Sequence, residues 1–372
     1  MGTVAPSTVS DREKGMDLES TEWLEPLVDR ERNRELERYV KRQTGLLPPY
    51  SRYFGECPWI LRADVDLDVV FVDITPLTGP AYLIVSRDNS CRFCYGASRM
   101  LMRMTGMSDA QITQLELDIE SARLDPATRV ALDYVRRISR SNPPPGITDR
   151  QALRNAGFSD RAMKELAFFA CDVIFHNRFA TLLALPVERT ERLARSRFAG
   201  LFAPLFRRVL ERTTGPVQPA TLPEQCKTGP FAGVVVALDG IVQASILRKI
   251  LDEAWASPHL SRRTKALIFA VIARGLGSRG SEREARRLLG DEGLAVADVE
   301  EILAHLASPA LDGAESEILP YVRETLWYQP AVLQRRGRAL RSRLTNAQFL
   351  ETVGVAALAN MVCRLSMALD DA

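Results

Sequence analysis

Cys91 and Cys94 stand three residues apart in SRDNSCRFCYGASRMLMRMTG (86–106), and the other four cysteines, Cys57, Cys171, Cys226 and Cys363, are isolated. Thiols one helical turn apart can share a metal ion, interconvert with a disulfide, or pack as small apolar groups. A structural zinc site needs a second Cys or His pair, and His176, His259 and His305 are unpaired in the sequence. No metal and no cofactor is therefore expected. Packing stays open, since Phe93, Met100, Leu101 and Met104 could bury the pair. A redox dithiol is the reading preferred here, because Cys-x-x-Cys at a helix start is a redox motif. Asp88, Asn89 and Ser90 are N-cap candidates for that helix, and Arg87 and Arg92 add positive charge. First-turn amides and the helix dipole favour thiolate over thiol.

The elements that must hold this pair read as helices. The chain has 372 residues, 46% of them hydrophobic and 26% charged, with 49 basic against 47 acidic side chains. That is the composition of a globular protein with room for two domains, and its near-neutral balance argues against nucleic acid as a partner. No signal-like core opens the sequence, and no apolar run looks long enough to span a membrane. A cytoplasmic protein with reduced thiols and no membrane partner is expected. A polar N-terminal segment leads into a charged helix at about 27–41, and SNPPPG (141–146) and TTGPVQP (213–219) interrupt the helical pattern beyond it.

An internal repeat is the strongest organising signal. Displaced by 187 positions, Arg87 meets Arg274, Arg99 meets Arg286, Gly106 meets Gly293, Leu124-Asp125 meets Leu311-Asp312, and Tyr134-Val135-Arg136 meets Tyr321-Val322-Arg323. Near the ends the offset falls by one, and Arg178 meets Arg364. The expected organisation is an N-terminal polar segment and helix (1–44), a first domain (45–190), an Arg-rich linker helix (191–224) and a second domain (225–372). AYLIVSRDNS (81–90) has strand-like composition, but its copy KALIFAVIARGLGS (265–278) favours helix, so both are read as helix. The fold class is all-α: two tandem domains forming an intrachain pseudo-dimer.

NSCRFCYGASRMLMRMTG (89–106), followed by FFACDVIFHNRFATLLALPVE (168–188), resembles the AhpD-like alkylhydroperoxidase and carboxymuconolactone decarboxylase family. The resemblance covers most of 45–190 and, more faintly, 225–372. It implies an oligomerising all-helical domain whose dithiol reduces a hydroperoxide and is reopened by a thiol donor. Carried over by position, Cys94 is the attacking thiol and Cys91 its resolving partner. The family's proton relay, a Glu twelve residues before the first Cys and a His four after the second, meets Gly79 and Ser98 here, and Phe93 stands between the cysteines. His176 is the one histidine of the first domain and the candidate substitute; Asp88 and Glu116 are weaker ones. In the second copy Ser278 and Ser281 replace the cysteines and Ala285 stands for Ser98.

The expected function is a thiol-dependent peroxidase or disulfide oxidoreductase using Cys91 and Cys94. Its partners would be a small hydroperoxide or disulfide, a thiol reductant and further copies of the chain. The rival is a binding or assembly module, or a redox sensor, on the same fold. Lactone decarboxylation is a third reading, for which no acid–base residues are found.

Overall fold

The structure, a computed structural model, describes residues 30–44, 47–67, 71, 73–104, 106–121, 124–185, 221–327 and 329–369. The described residues form α-helices and two 3-10 turns, with no strand among them, so the chain is all-α. The helix expected at 27–41 is α1 (Arg30–Thr44). The linker helix expected at 191–224 lies almost wholly outside the described residues, apart from a 3-10 turn at Glu224–Lys227.

After a 3-10 turn (Pro49–Tyr53) come α2 (Pro58–Leu67), α3 (Thr75–Asp88), α4 (Arg92–Met104), α5 (Asp109–Ser121), α6 (Pro126–Arg140), α7 (Ile147–Asn155) and α8 (Asp160–Leu182). The second half contributes α9 (Ala232–Ala237), α10 (Gln243–Ala256), α11 (Arg262–Leu276), α12 (Arg279–Asp291), α13 (Val296–His305), α14 (Gly313–Glu324), α15 (Pro330–Arg341) and α16 (Asn346–Leu369). The helices starting at 75, 92, 109 and 126 have successors starting at 262, 279, 296 and 313, and α8 at 160 has α16 at 346.

Local chemistry recurs with the order. Asp125 caps α6 by accepting from the Thr128 amide, and Asp312 caps α14 by accepting from the Glu315 amide. Ser159 and Thr345 offer hydroxyls to the first turns of α8 and α16. Buried Glu165 on α8 accepts from the Asp73 amide at 2.9 Å, and buried Glu351 on α16 accepts from the Leu260 amide at 3.0 Å. Each carboxylate thus ties the chain entering α3 or α11 to the longest helix of its half.

The core is built on α8 and α16, which pack along each other. Both are buried nearly all round, with a few charged and polar residues among the apolar ones, as in a helix enclosed on every side. The sequence suggests no membrane-length run, yet α16 qualifies by length and hydropathy; 89% of its most apolar window is buried against protein, which accounts for its composition. Two arginines sit in this seam: Arg178 and Arg364 are each 1% exposed. Burial and the Arg178 charge push Arg364 down to about 9. The α7 and α15 ends reach across the same seam. Arg150 donates to the Ala368 carbonyl at 3.0 Å, and Gln334 donates to the Thr181 carbonyl at 3.1 Å. Carbonyls in the last turn of each long helix lack intrahelical donors, so these side chains act as caps supplied from the other half. Helix α2 also packs on α10.

Candidate thiol redox site

A tight turn delivers the cysteines. Helix α3 ends with Ser90 in the left-handed region (φ 49°), and the Cys91 amide reaches back to the Ser86 carbonyl at 3.0 Å. This is the bonding of a Schellman stop, where glycine is usual, and Gly277 (φ 73°) holds the matching position before α12. Helix α4 then begins at Arg92, directly after Cys91.

Cys91 consequently occupies the cap position itself. Its sulfur accepts from the Cys94 amide at 3.4 Å, taking the place that Asp88, Asn89 or Ser90 was expected to fill. Those three are occupied elsewhere. Asp88 pairs with Arg140 at 2.8 Å, while buried Asn89 bonds the Val85 carbonyl and accepts from Arg178 at 3.0 Å. Ser90 supplies the turn.

Both sulfurs are buried, Cys91 and Cys94 each 1% exposed, and their environments differ. Burial opposes ionisation of Cys91. Hydrogen bonds from the Cys94 thiol and amide and from Thr181, with the Arg178 charge, outweigh it and bring Cys91 below the ordinary thiol range. Burial, the Cys91 charge and the Asp64 charge push Cys94 well up, against a hydrogen bond from Tyr82. The surroundings thus favour ionisation at Cys91 over Cys94. The cap amide and the Arg178 charge both act on Cys91, the thiol that the resemblance makes the resolving partner.

His176 stands on α8 between two carboxylates. Its Nε2 lies 2.8 Å from Asp64 Oδ1 and its Nδ1 lies 2.9 Å from Asp172 Oδ1 and from the Asp172 carbonyl. Burial disfavours the imidazolium, yet the two carboxylates dominate and raise His176 well above its ordinary value. Tyr50 donates to the other Asp64 oxygen at 3.0 Å and stacks edge-on against Phe93, with ring centroids 5.7 Å apart. Asp64, on α2, holds the histidine and Tyr50 together.

The other candidates lie apart. Glu116 accepts from Tyr95 at 2.6 Å and from Arg99 at 2.9 Å, inside a small separate cluster of Leu83, Tyr95, Met102 and Ile112. Ser98 is buried and donates to the Tyr95 carbonyl of its own helix at 2.8 Å. Gly79 packs on Met102, which an added Cβ would meet at 3.1 Å. In the second half, Ser278 donates to the Cys363 carbonyl at 3.0 Å, and Ser281 is buried.

Sequence reasoning missed Asp64, Tyr82 and Tyr50. It also missed a grouping of Cys57, His259 and Glu351, whose ligand atoms lie within 4.8 Å of one another. That set does not fit a metal. The Lys265 ammonium, wholly buried, already stands 2.8 Å from Glu351 Oε1, and a second cation there would meet its charge. Glu351 moreover does the same backbone-holding work as Glu165.

No protein-family model, curated protein or solved structure matches the chain.

Proposed function

We propose that this chain is a tandem AhpD-like protein, folded as an intrachain pseudo-dimer, with one thiol redox centre at Cys91 and Cys94. Recurrent helix starts, paired N-caps, paired Glu165 and Glu351 anchors and reciprocal capping by Arg150 and Gln334 support the duplication. The observation that carries the redox reading is the Cys91 sulfur serving as the cap acceptor of α4 with the Cys94 thiol against it.

In this reading the Cys91 thiolate attacks a hydroperoxide, the O–O bond breaks and an alcohol leaves. The resulting sulfenic acid condenses with Cys94 to a disulfide, releasing water, and a thiol donor reopens it. An external disulfide is the alternative oxidant. Five of the six cysteines are buried free thiols, which suits a reducing, cytoplasmic compartment.

The test is consumption of tert-butyl hydroperoxide with dithiothreitol as reductant. Cys91→Ser is expected to abolish turnover. Cys94→Ser should still form a sulfenic acid at Cys91, trapped by dimedone, without closing a disulfide. Turnover unchanged in Cys91→Ser sinks the reading. One observation favours the rival sensor or binding module: near-complete burial of both sulfurs restricts access to small oxidants. Stoichiometric but non-catalytic oxidation would select it.

A further inference from the structure

The start of α12 matches the start of α4 in position but not in how its first turn is satisfied. The register of α3 with α11 and of α4 with α12 sets Ser278 opposite Cys91 and Ser281 opposite Cys94. In the first half the Cys91 sulfur accepts from the Cys94 amide at 3.4 Å. Ser278 makes no capping bond of this kind. Its hydroxyl turns away and donates to the Cys363 carbonyl of α16 at 3.0 Å. Glu282, the acidic residue of the turn, is drawn to Arg274 and Arg286, each at 2.9 Å. Neither side chain therefore answers the positive end of this 13-residue helix.

Two buried donors accompany that helix start. Ser281, 1% exposed, has no hydrogen-bond partner for its hydroxyl, and Arg364, also 1% exposed, has none for its Nε. Arg364 follows Cys363 in the chain, the residue whose carbonyl Ser278 reaches. Its counterpart Arg178 donates across to Asn89 at 3.0 Å, but the position matching Asn89 on α11 is Leu276, which offers no acceptor. Arg364 instead bonds its own helix, its Nη1 donating to the Asn360 carbonyl at 3.3 Å and to Asn360 Oδ1 at 2.6 Å. Both acceptors are neutral. Among the described residues no carboxylate pairs with Arg364, and burial and the Arg178 charge both oppose its ionisation. At neutral pH a guanidinium nevertheless stays charged, and a buried charge calls for an opposite one.

The first half meets this demand with Cys91, whose surroundings favour its ionised form. A chloride ion carries the charge of a thiolate and has nearly the size of its sulfur. Helix amides, a hydroxyl and a guanidinium are the donors that bind such an ion. Gly275 and Gly277 in the turn before α12 are exposed, so solvent ions come within a residue of Ser278.

We propose that the start of α12 binds a monatomic anion of chloride size, held by the first-turn amides, the Ser281 hydroxyl and the Arg364 guanidinium, where the first half has the Cys91 sulfur. The register of the proposed duplication places Arg364 at this site; the redox reading of the thiols does not enter.

The experiment follows thermal unfolding of the full chain as sodium chloride replaces sodium gluconate at constant ionic strength and pH, gluconate being too large for a buried site. Tm is expected to rise saturably with chloride, since a ligand of the folded state stabilises it. In Arg364→Gln the chloride concentration giving half the rise should increase at least about tenfold, as for loss of a hydrogen bond to a charged group. Ser281→Ala decides the matter should Arg364→Gln fail to fold. It should lower Tm in chloride and leave it equal or higher in gluconate, where the hydroxyl brings only its desolvation cost. Arg287→Gln, at an exposed position of α12, should keep the wild-type response. A Tm indifferent to the exchange overturns the site, as does a rise that Arg364→Gln or Ser281→Ala leaves unchanged. Crystals grown in sodium bromide should show an anomalous peak at the start of α12, and a peak without any effect on Tm marks an adventitious ion only and overturns the site too. Absence of hydroperoxide turnover bears on Cys91 and Cys94 and leaves this site standing.

Discussion

His176 illustrates how far one side chain's chemistry depends on its partners. Two carboxylates raise its proton affinity in the folded chain above the ordinary 6.5, against the burial that disfavours charge. A group whose folded value is raised contributes stability that is fully present below its unfolded value and is lost as pH rises through the folded one. The stability difference between wild type and His176→Gln should therefore be largest near about pH 6 and shrink into the alkaline range. Urea denaturation at a series of pH values measures it, and a pH-independent difference would contradict the pairing. The thiols and His176 were legible as residue types in the sequence, and the Asp172–His176 spacing of four was there to be read. Asp64 was not, because it comes from a helix 112 residues earlier. Tyr82 was hidden inside an apolar run that reads as core. Spacing along the chain also could not show that the Cys91 sulfur would take the cap position of α4, where the Cys94 amide donates to it.

At the scale of elements, the buried glutamates of α8 and α16 are matched in position but not in cost. Glu165 sits with Arg161, which is partly exposed, at 3.2 Å. Glu351 faces Lys265, and both are wholly buried. Glu351→Gln leaves a buried ammonium uncompensated and should cost about 3–5 kcal/mol, the range for breaking a buried ion pair. Glu165→Gln leaves behind a guanidinium with access to water and should cost clearly less. Thermal or urea melts of the two variants decide it; equal losses would mean that the backbone contacts, not the charges, set the cost. Helix identity was the most legible level of all. Reading AYLIVSRDNS as helix required its copy, since β-branched and aromatic residues suit a buried helix as well as a strand. What the copy could not reveal is which helices face each other.

For the molecule as a whole, the thiol site is not the property of one half. Thr181, whose hydroxyl reaches Cys91, offers its carbonyl to Gln334 from α15. Gln334→Leu should disturb the end of α8 and slow adduct formation at Cys91 several-fold, while the same change at exposed Gln151 on α7 should do nothing to it. Methanethiosulfonate labelling rates for the two variants make the comparison, and equal rates would show the cap to be structural only. The consequence reaches into how such a chain can evolve. On the proposed duplication, a half with serines in place of the cysteines would ordinarily be released to drift, yet its penultimate helix holds the end of α8 through the Thr181 carbonyl. Substitutions along 330–341 would then register as redox phenotypes at positions carrying no redox group. On the proposed reading neither copy could be discarded, and the one without thiols would be kept under selection by the chemistry of its twin.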